Sequence, residues 1–219
     1  MQRLKFVPDY NIEQSYKNLC VIGIDEAGRG PLAGPVVAAC AFLDLAFLSD
    51  KICSKINDSK KISATKRRDI FLYLKQRIKF GVGVVDEKII DEINILQATK
   101  LAMLRAYEDF CIKSTISPQI ILVDGNFAPF KKYGLIQEIL PIVKGDQKSL
   151  SIAAASIIAK ETRDEIMLEM HQKYPQYGFD KNAGYPTKFH VDRLEEFGIC
   201  EFHRKTFGPV RDVINAGSK

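Results

Sequence analysis

The chain is 219 residues long, with 46% hydrophobic and 27% charged residues, and its 32 Lys+Arg against 27 Asp+Glu leave a net charge of +5. That composition excludes a disordered chain, a collagen-like chain and a small scaffold held together by disulfides. At this length one core with an appendage is expected, rather than two equal domains.

Residues 21–25 are short, apolar and β-branched and stop at a Gly/Pro-dense turn over residues 28–35, which predicts a strand followed by a tight connection. Residues 36–43 read as a second buried strand and residues 80–85 as a third. Between them Ser63 is placed to cap a basic helix running to about Arg77. A second helix is expected over residues 86–111, where Ile95, Ala98, Leu101, Ala102 and Leu104 recur at helical spacing. Residues 119–124 form the clearest strand, ending on Asp124 before Gly125, and residues 139–143 suggest a fifth, leading into Lys144-Gly145-Asp146. A long helix begins near Ser149 with a small-residue first half, and another covers residues 187–197. This order implies an α/β or α+β sheet domain with a helical C-terminal lobe. The division expected is 1–170 for the sheet domain and 171–219 for a helical extension packed on it.

No apolar stretch reaches the roughly 18–20 residues of a membrane span. The longest candidate, residues 35–48, is broken by Asp44, and the first five residues lack an apolar signal core, so no membrane association is expected. The five cysteines, at 20, 40, 53, 111 and 200, are never spaced C-x-x-C, which suits a reduced, cytoplasmic compartment and no zinc knuckle. A pI near 8.8 permits a nucleic-acid partner without requiring one. The charge is uneven, however. Residues 51–79 hold ten Lys/Arg and two Asp, a net of +8, leaving −3 for the rest. Polyanion binding would be local to that segment and weakened by salt.

Two apolar strands finish on carboxylates, at Asp25-Glu26 and Asp124, and a third candidate finishes just before Asp146. In open α/β sheets ligand sites gather beyond strand ends, so these acids can meet. Carboxylates without Cys or His suit Mg²⁺ or Mn²⁺, and two such ions roughly 4 Å apart can drive phosphodiester hydrolysis. The alternative is that each acid is solvated or caps a turn. Adjacent strand residues point to opposite faces, so Asp25 and Glu26 share one site only if the strand loses its regularity there. The turn itself places Gly28 and Gly30 around Arg29. Such a turn either lets backbone N–H groups approach a phosphate or hydroxyl, or is a plain hairpin connection. Its spacing is neither G-x-G-x-x-G nor a Walker loop.

The run from Asp25, D-E-A-G-R-G-P-L-A-G-P-V-V-A-A, resembles the signature of bacterial ribonuclease HII, the type 2 ribonuclease H family. The resemblance continues through Asn57-Asp58-Ser59-Lys60-Lys61, residues 93–99, Val123-Asp124-Gly125, Lys144-Gly145-Asp146, residues 151–160 with Arg163-Asp164, Gly184-Tyr185-Pro186-Thr187 and His203-Arg204. It spans about residues 20–210. It implies a ribonuclease H-like fold, a mixed central β-sheet flanked by helices. The implied activity is cleavage of the RNA strand of RNA–DNA hybrids and nicking 5′ of single ribonucleotides in duplex DNA, by a monomer. Carried over by motif, Asp25, Glu26, Asp124 and Asp146 would be catalytic and would hold two Mn²⁺ or Mg²⁺ ions. Gly28, Arg29 and Gly30 would read the ribose 2′-hydroxyl, the group that separates a ribonucleotide from its neighbours. Tyr185 would pack on the adjoining sugar, and Ser59, Lys60 and Lys61 would contact phosphate.

The chain departs from the family pattern at Glu161 and at Asn182-Ala183; neither touches the carboxylates, and the second bears on the contact around Tyr185. Asp146 ranks ahead of Asp164 as fourth ligand because it follows a strand, while Asp164 shares a polar helix stretch with Glu161 and Glu165. His171, His190 and His203 are not spaced as a metal set and are expected in surface or packing roles. Arg29 and Arg204 either contact backbone or brace the acids. A binding module without catalysis would lack one of the four carboxylates, and a transposase- or integrase-like nuclease would lack the glycine turn and the Gly184-Tyr185 motif.

Overall fold

The computed structural model describes residues 7–127 and 137–217. Its elements run α1 (Asn11–Ser15), β1 (Val21–Ala27), β2 (Val36–Phe42), α2 (Leu45–Leu48), α3 (Ala64–Arg77), β3 (Lys79–Val85), α4 (Glu87–Lys113), β4 (Ile120–Asp124), β5 (Glu138–Ile142), α5 (Leu150–Lys173), α6 (Phe179–Asn182), α7 (Lys188–Phe197) and α8 (Gly208–Gly217). The five strands form one sheet in the order β3-β2-β1-β4-β5. β1 pairs with β2, and β2 with β3, antiparallel; β1–β4 and β4–β5 are parallel. All five expected strands are present.

Both faces of the sheet are covered, which is why β1, β2 and β4 are apolar without alternation. On one face Ile22, Ile24, Ala38 and Cys40 pack against Ala102, Met103, Ala106 and Phe110 of α4. On the other, Ala39 and Ala41 meet Ala153, Ala154, Ile157 and Ile158 of α5, with Ile70, Phe71 and Leu74 of α3 beside them. The small residues of α5 let it lie close to β1. At Gly23 the approach is so tight that a Cβ would stand 2.3 Å from Ile152 N.

Local chemistry explains where the helices begin. The side chains of Asp86, Ser149 and Thr187 accept hydrogen bonds from the N–H groups of Ile89, Ile152 and His190, each in the first turn of its helix. Ser63 does occupy the position before α3, but its side chain makes no capping bond. The single helix expected over residues 86–111 is kinked at Asn94, whose φ of 65° is left-handed. The Asn94 side chain accepts from Leu96 N and Gln97 N and so caps the second segment itself.

The expected boundary at residue 170 falls inside α5, which continues unbroken to Lys173. The C-terminal helices pack on it through a separate apolar cluster of Leu32, Ala33, Met167, Tyr177, Phe179, Leu194, Cys200 and Val210. That cluster includes two residues of the glycine-rich turn. No helix among the described residues is long and apolar enough to cross a membrane.

Gly23→Val is expected to cost about 3 kcal/mol or more, because the added atoms meet helix backbone rather than a movable side chain. Urea unfolding measures this; an unchanged midpoint would show that α5 can retreat from β1.

Candidate active site

The register of the parallel pair brings two of the expected acids together. β1 and β4 match Val21 with Ile120 through Ile24 with Val123, so Asp25 and Asp124 follow at the same level on adjacent strands. Level residues on parallel strands face the same way, and Asp25 shares the α5 side of β1 with Gly23. There Ser156 of α5 hydrogen-bonds to it. Glu26 requires a correction. β1 keeps its regular pairing with β2 through Ala27 opposite Val37, so the strand does not lose its regularity at Asp25-Glu26. β4 ends at Asp124 instead, and Glu26 feels the Asp124 charge from beyond that end. Asp146 lies in a short 3-10 turn, Gly145–Gln147, after β5, and the Gly145 N–H donates to Asp124 Oδ1 at 2.6 Å.

Crowding and burial show in the basicity of these acids. Burial first, then the charges of Glu26 and Asp124, holds the Asp25 carboxyl well above the usual carboxylate range. Burial also raises Glu26, against the pull of Arg29, whose Nη1 lies 3.2 Å from Glu26 Oε1. Asp146 is pushed up to about 6 by burial, with Asp124 and Asp58 adding and Lys60 and Lys61 opposing.

Among the described residues no three His, Cys, Asp or Glu side chains already stand so as to enclose an ion. One oxygen of Asp25 and one of Asp124 are engaged by backbone N–H groups. The donor set nonetheless fits hard divalent cations: all the candidate donors are carboxylate oxygens, Glu26 Oε2 is buried without a partner, and the charges of Glu26 and Asp124 crowd Asp25.

Beside the acids, the turn between β1 and β2 is held by two arginines with no exposed surface. From α5, Arg163 donates to Pro35 O (2.9 Å), Ala33 O (3.1 Å) and Ala183 O (2.9 Å). Arg204 donates to Gly34 O, Gly28 O (2.6 Å) and Arg29 O (3.1 Å). Burial pulls Arg163 down to about 10 and Arg204 to about 9, the latter also by its neighbour Arg163. Of the alternatives open for these residues, Arg204 takes the backbone and Arg29 braces an acid. Gly28 has φ 93°, and a Cβ there would lie 2.1 Å from Arg163 Nε, so no other residue fits.

The Gly184-Tyr185 loop closes onto that turn. Leu32 N donates to Gly184 O at 2.8 Å, and a Cβ on Gly30 would stand 3.6 Å from Tyr185 Cε1, so the ring lies over Gly30. Tyr185 is 44% exposed, available to a ligand. Asn182, one of the departures, shapes the loop: its side chain donates to Tyr177 O and accepts from Gly184 N, both at 2.7 Å. Beneath it, His190 and His203 are buried with Nε2 atoms 3.1 Å apart. The expected packing role holds for them, though they also carry ordered hydrogen bonds that no spacing rule reveals.

The basic segment sorts itself more finely than its motif. Lys60 faces Glu26 and Asp146, and Lys61 Nζ stands 3.6 Å from Asp58 Oδ2. Ser59 is turned inward, its hydroxyl 3.0 Å from Ser156 Oγ, which places it behind Asp25 rather than on the surface. Asp164 is salt-bridged to Lys160 and Arg67, and the Glu161 departure is a buried partner of Arg67 at 2.6 Å.

A mixed sheet with acids at the ends of two adjacent parallel strands, flanked on both faces by helices, defines a ribonuclease H-like nuclease fold. The family model for Ribonuclease HII matches residues 22–210. A Ribonuclease HII of Chlamydia muridarum is 48% identical over 211 residues, covering 95% of this chain and 90% of that protein. One from Endomicrobium trichonymphae is 50% identical over 196 residues, covering 89% and 88%. The crystal structure of the ribonuclease H2 from Pyrococcus horikoshii OT3 superposes with a TM-score of 0.72 at 29% identity, over 91% of this chain and 99% of the other. The chain belongs to the ribonuclease HII family. It is a ribonuclease H, an endoribonuclease acting on the RNA of RNA–DNA hybrids.

Burial, and for His203 also its neighbour His190, lowers both histidines, His203 from 6.5 to about 4. The unfolded chain then binds the extra proton between those pH values, so this contribution to stability is full above about 6.5 and is lost as pH falls toward 4. The loss is on the order of 3 kcal/mol. The raised acids act in the opposite direction, so the measured quantity is the difference between wild type and His203→Gln in urea unfolding at pH 7 and pH 5. The variant should lose the His203 part of the acid destabilisation; identical pH slopes would contradict the assignment.

Proposed function

We propose that this ribonuclease H nicks duplex DNA 5′ of a single embedded ribonucleotide, as well as cutting the RNA of longer hybrids, leaving 5′-phosphate and 3′-hydroxyl ends. The observation that carries the reading is the adjacency of two devices: the acids at the ends of β1 and β4, and the Gly28-Arg29-Gly30 turn with the Tyr185 ring over it. The first suits phosphodiester chemistry; the second suits a ligand distinguished by one hydroxyl.

Asp25, Glu26, Asp124 and Asp146 would hold two divalent ions, Mg²⁺ or Mn²⁺, which when bound supply charge neutralisation and Lewis acidity for in-line attack of water on phosphate. The ends of β1 and β4 and the turn after β5 hold these carboxylates in place, and Arg29 keeps Glu26 oriented. In the turn, backbone N–H and C=O groups approach the ribose 2′-hydroxyl, which can both donate and accept. Tyr185 packs on the neighbouring sugar and marks the ribose–deoxyribose junction. Lys60 and Lys61 lie where the substrate's phosphates approach the acids, and the basic segment around them attracts the duplex. The five free cysteines accord with a reducing cytoplasm.

The test is a DNA duplex with one ribonucleotide, beside an all-DNA control, in Mg²⁺ or Mn²⁺. The strand should be cut only 5′ of the ribonucleotide; no cut, or cutting of the control, contradicts the reading. Asp124→Asn should lower the rate at least about a hundredfold, near 3 kcal/mol in the barrier, with duplex binding retained. Because ligating carboxylates must be deprotonated, Mn²⁺ affinity measured calorimetrically should fall at least about tenfold per pH unit below about 6, as Asp146 and the other raised acids, Asp25 and Glu26, take up protons. Affinity that stays flat from pH 7.5 to 5 would contradict this ligand set, and an unchanged slope in Asp146→Asn would remove Asp146 from it.

A further inference from the structure

We propose that His190, backed by His203, is a positioning residue that fixes the main chain of Tyr185 and so holds its ring over Gly30. The proposal rests on the reading of Tyr185 as the sugar contact and adds the device that sets it.

The hydrogen bonds define a single direction. Cys200 N–H can only donate, so His203 Nδ1, 2.9 Å away, accepts; Cys200 Sγ lies 3.2 Å from the same atom. A neutral His203 therefore carries its proton on Nε2 and donates it to His190 Nε2 at 3.1 Å. His190, accepting there, carries its own proton on Nδ1 and donates it to Tyr185 O at 2.9 Å. No bond in the chain is frustrated, and both rings are neutral. An added proton on either ring would face an N–H, which agrees with the lowered basicity of both. Tyr177 and Phe179 surround the pair, with Tyr177 edge-on to His203 at 4.8 Å and Phe179 edge-on to His190 at 5.4 Å, so the imidazoles cannot turn toward other partners.

The chain ends on the residue whose position matters. Tyr185 O also accepts from Thr187 N at 2.8 Å, and Tyr185 N donates to Asn182 O at 2.9 Å. The peptide is thus held from both sides while the ring alone stays open to solvent. An apolar pair would fill the same volume but would leave Tyr185 O one donor short. The preceding residues make that donor count: Ala183 is held at a left-handed φ of 47° and Gly184 at 78°, a stretch that would relax without restraint.

Two near-isosteric variants separate positioning from packing. The amide of His190→Asn reaches the Nδ1 position and can still donate to Tyr185 O. The amide of His190→Gln reaches the Nε2 position, keeps His203 and releases Tyr185. On the single-ribonucleotide duplex, His190→Gln should raise KM about tenfold with kcat within about twofold of wild type, and His190→Asn should rescue KM to within about threefold. The Gln effect should vanish when Tyr185→Ala is already present, because the two changes act through one ring. Equal KM values for the Asn and Gln variants, or effects that add to Tyr185→Ala, overturn the proposal alone. A Tyr185→Ala enzyme with wild-type KM overturns the reading of Tyr185 and the proposal with it.

Discussion

Two guanidinium groups buried side by side hold the candidate active-site end of this molecule together. Arg163 and Arg204 come from opposite ends of the C-terminal third, yet between them they engage the carbonyls of Gly28, Arg29, Ala33, Gly34, Pro35 and Ala183. A turn of eight residues with two prolines and three glycines has few N–H groups with which to satisfy those oxygens internally. Arginine is suited to the task because its planar fork donates in several directions at once and stays charged even when burial lowers its basicity. Each bond from a charged donor contributes about 1.5–3 kcal/mol, and an orphaned carbonyl would cost a comparable amount. The turn, the Tyr185 loop and α5 are therefore one mechanical unit.

The acids depend on a different constraint, the parallel register of β1 and β4, which sets Asp25 and Asp124 level on adjacent strands. The two constraints meet at Arg29. Its carbonyl is fixed by Arg204 and its side chain lies against Glu26, which ties the turn to that carboxylate. Behind Asp25, Ser156 and Ser59 form a short polar file into the basic segment, which ties the charge of residues 51–79 to the acidic centre.

Much of this was legible in the chain. The strands that end on acids could be read because buried parallel strands are continuous apolar runs and an acid after such a run is conspicuous. The glycine turn could be read because Gly28 and Gly30 flank an arginine in a family signature. Other features have no local signature. Arg204 binds carbonyls about 170 residues away, and a carbonyl acceptor is the same in every residue. The histidine pair is thirteen residues apart and joined only by tertiary folding. The regularity of β1 through Glu26 has no local sign, because the Gly/Pro-dense turn follows at once, whereas pairing with β2 carries the strand to Ala27. Sequence adjacency groups Ser59 with its lysine neighbours, but its hydroxyl points into the core.

Native-state hydrogen exchange tests the arginine clamp most directly. The amides of Leu32 and Gly34 are bonded to Gly184 O and Phe202 O and sit within the span the arginines hold. In Arg204→Lys, whose single ammonium cannot span the carbonyls of Gly28, Arg29 and Gly34, these two amides should exchange about a hundredfold faster, while Ile22 and Ile121 in the sheet keep their protection. Wild-type protection at Leu32 and Gly34 in that variant would contradict the claim that the buried guanidiniums, rather than the turn's own bonds, set its shape.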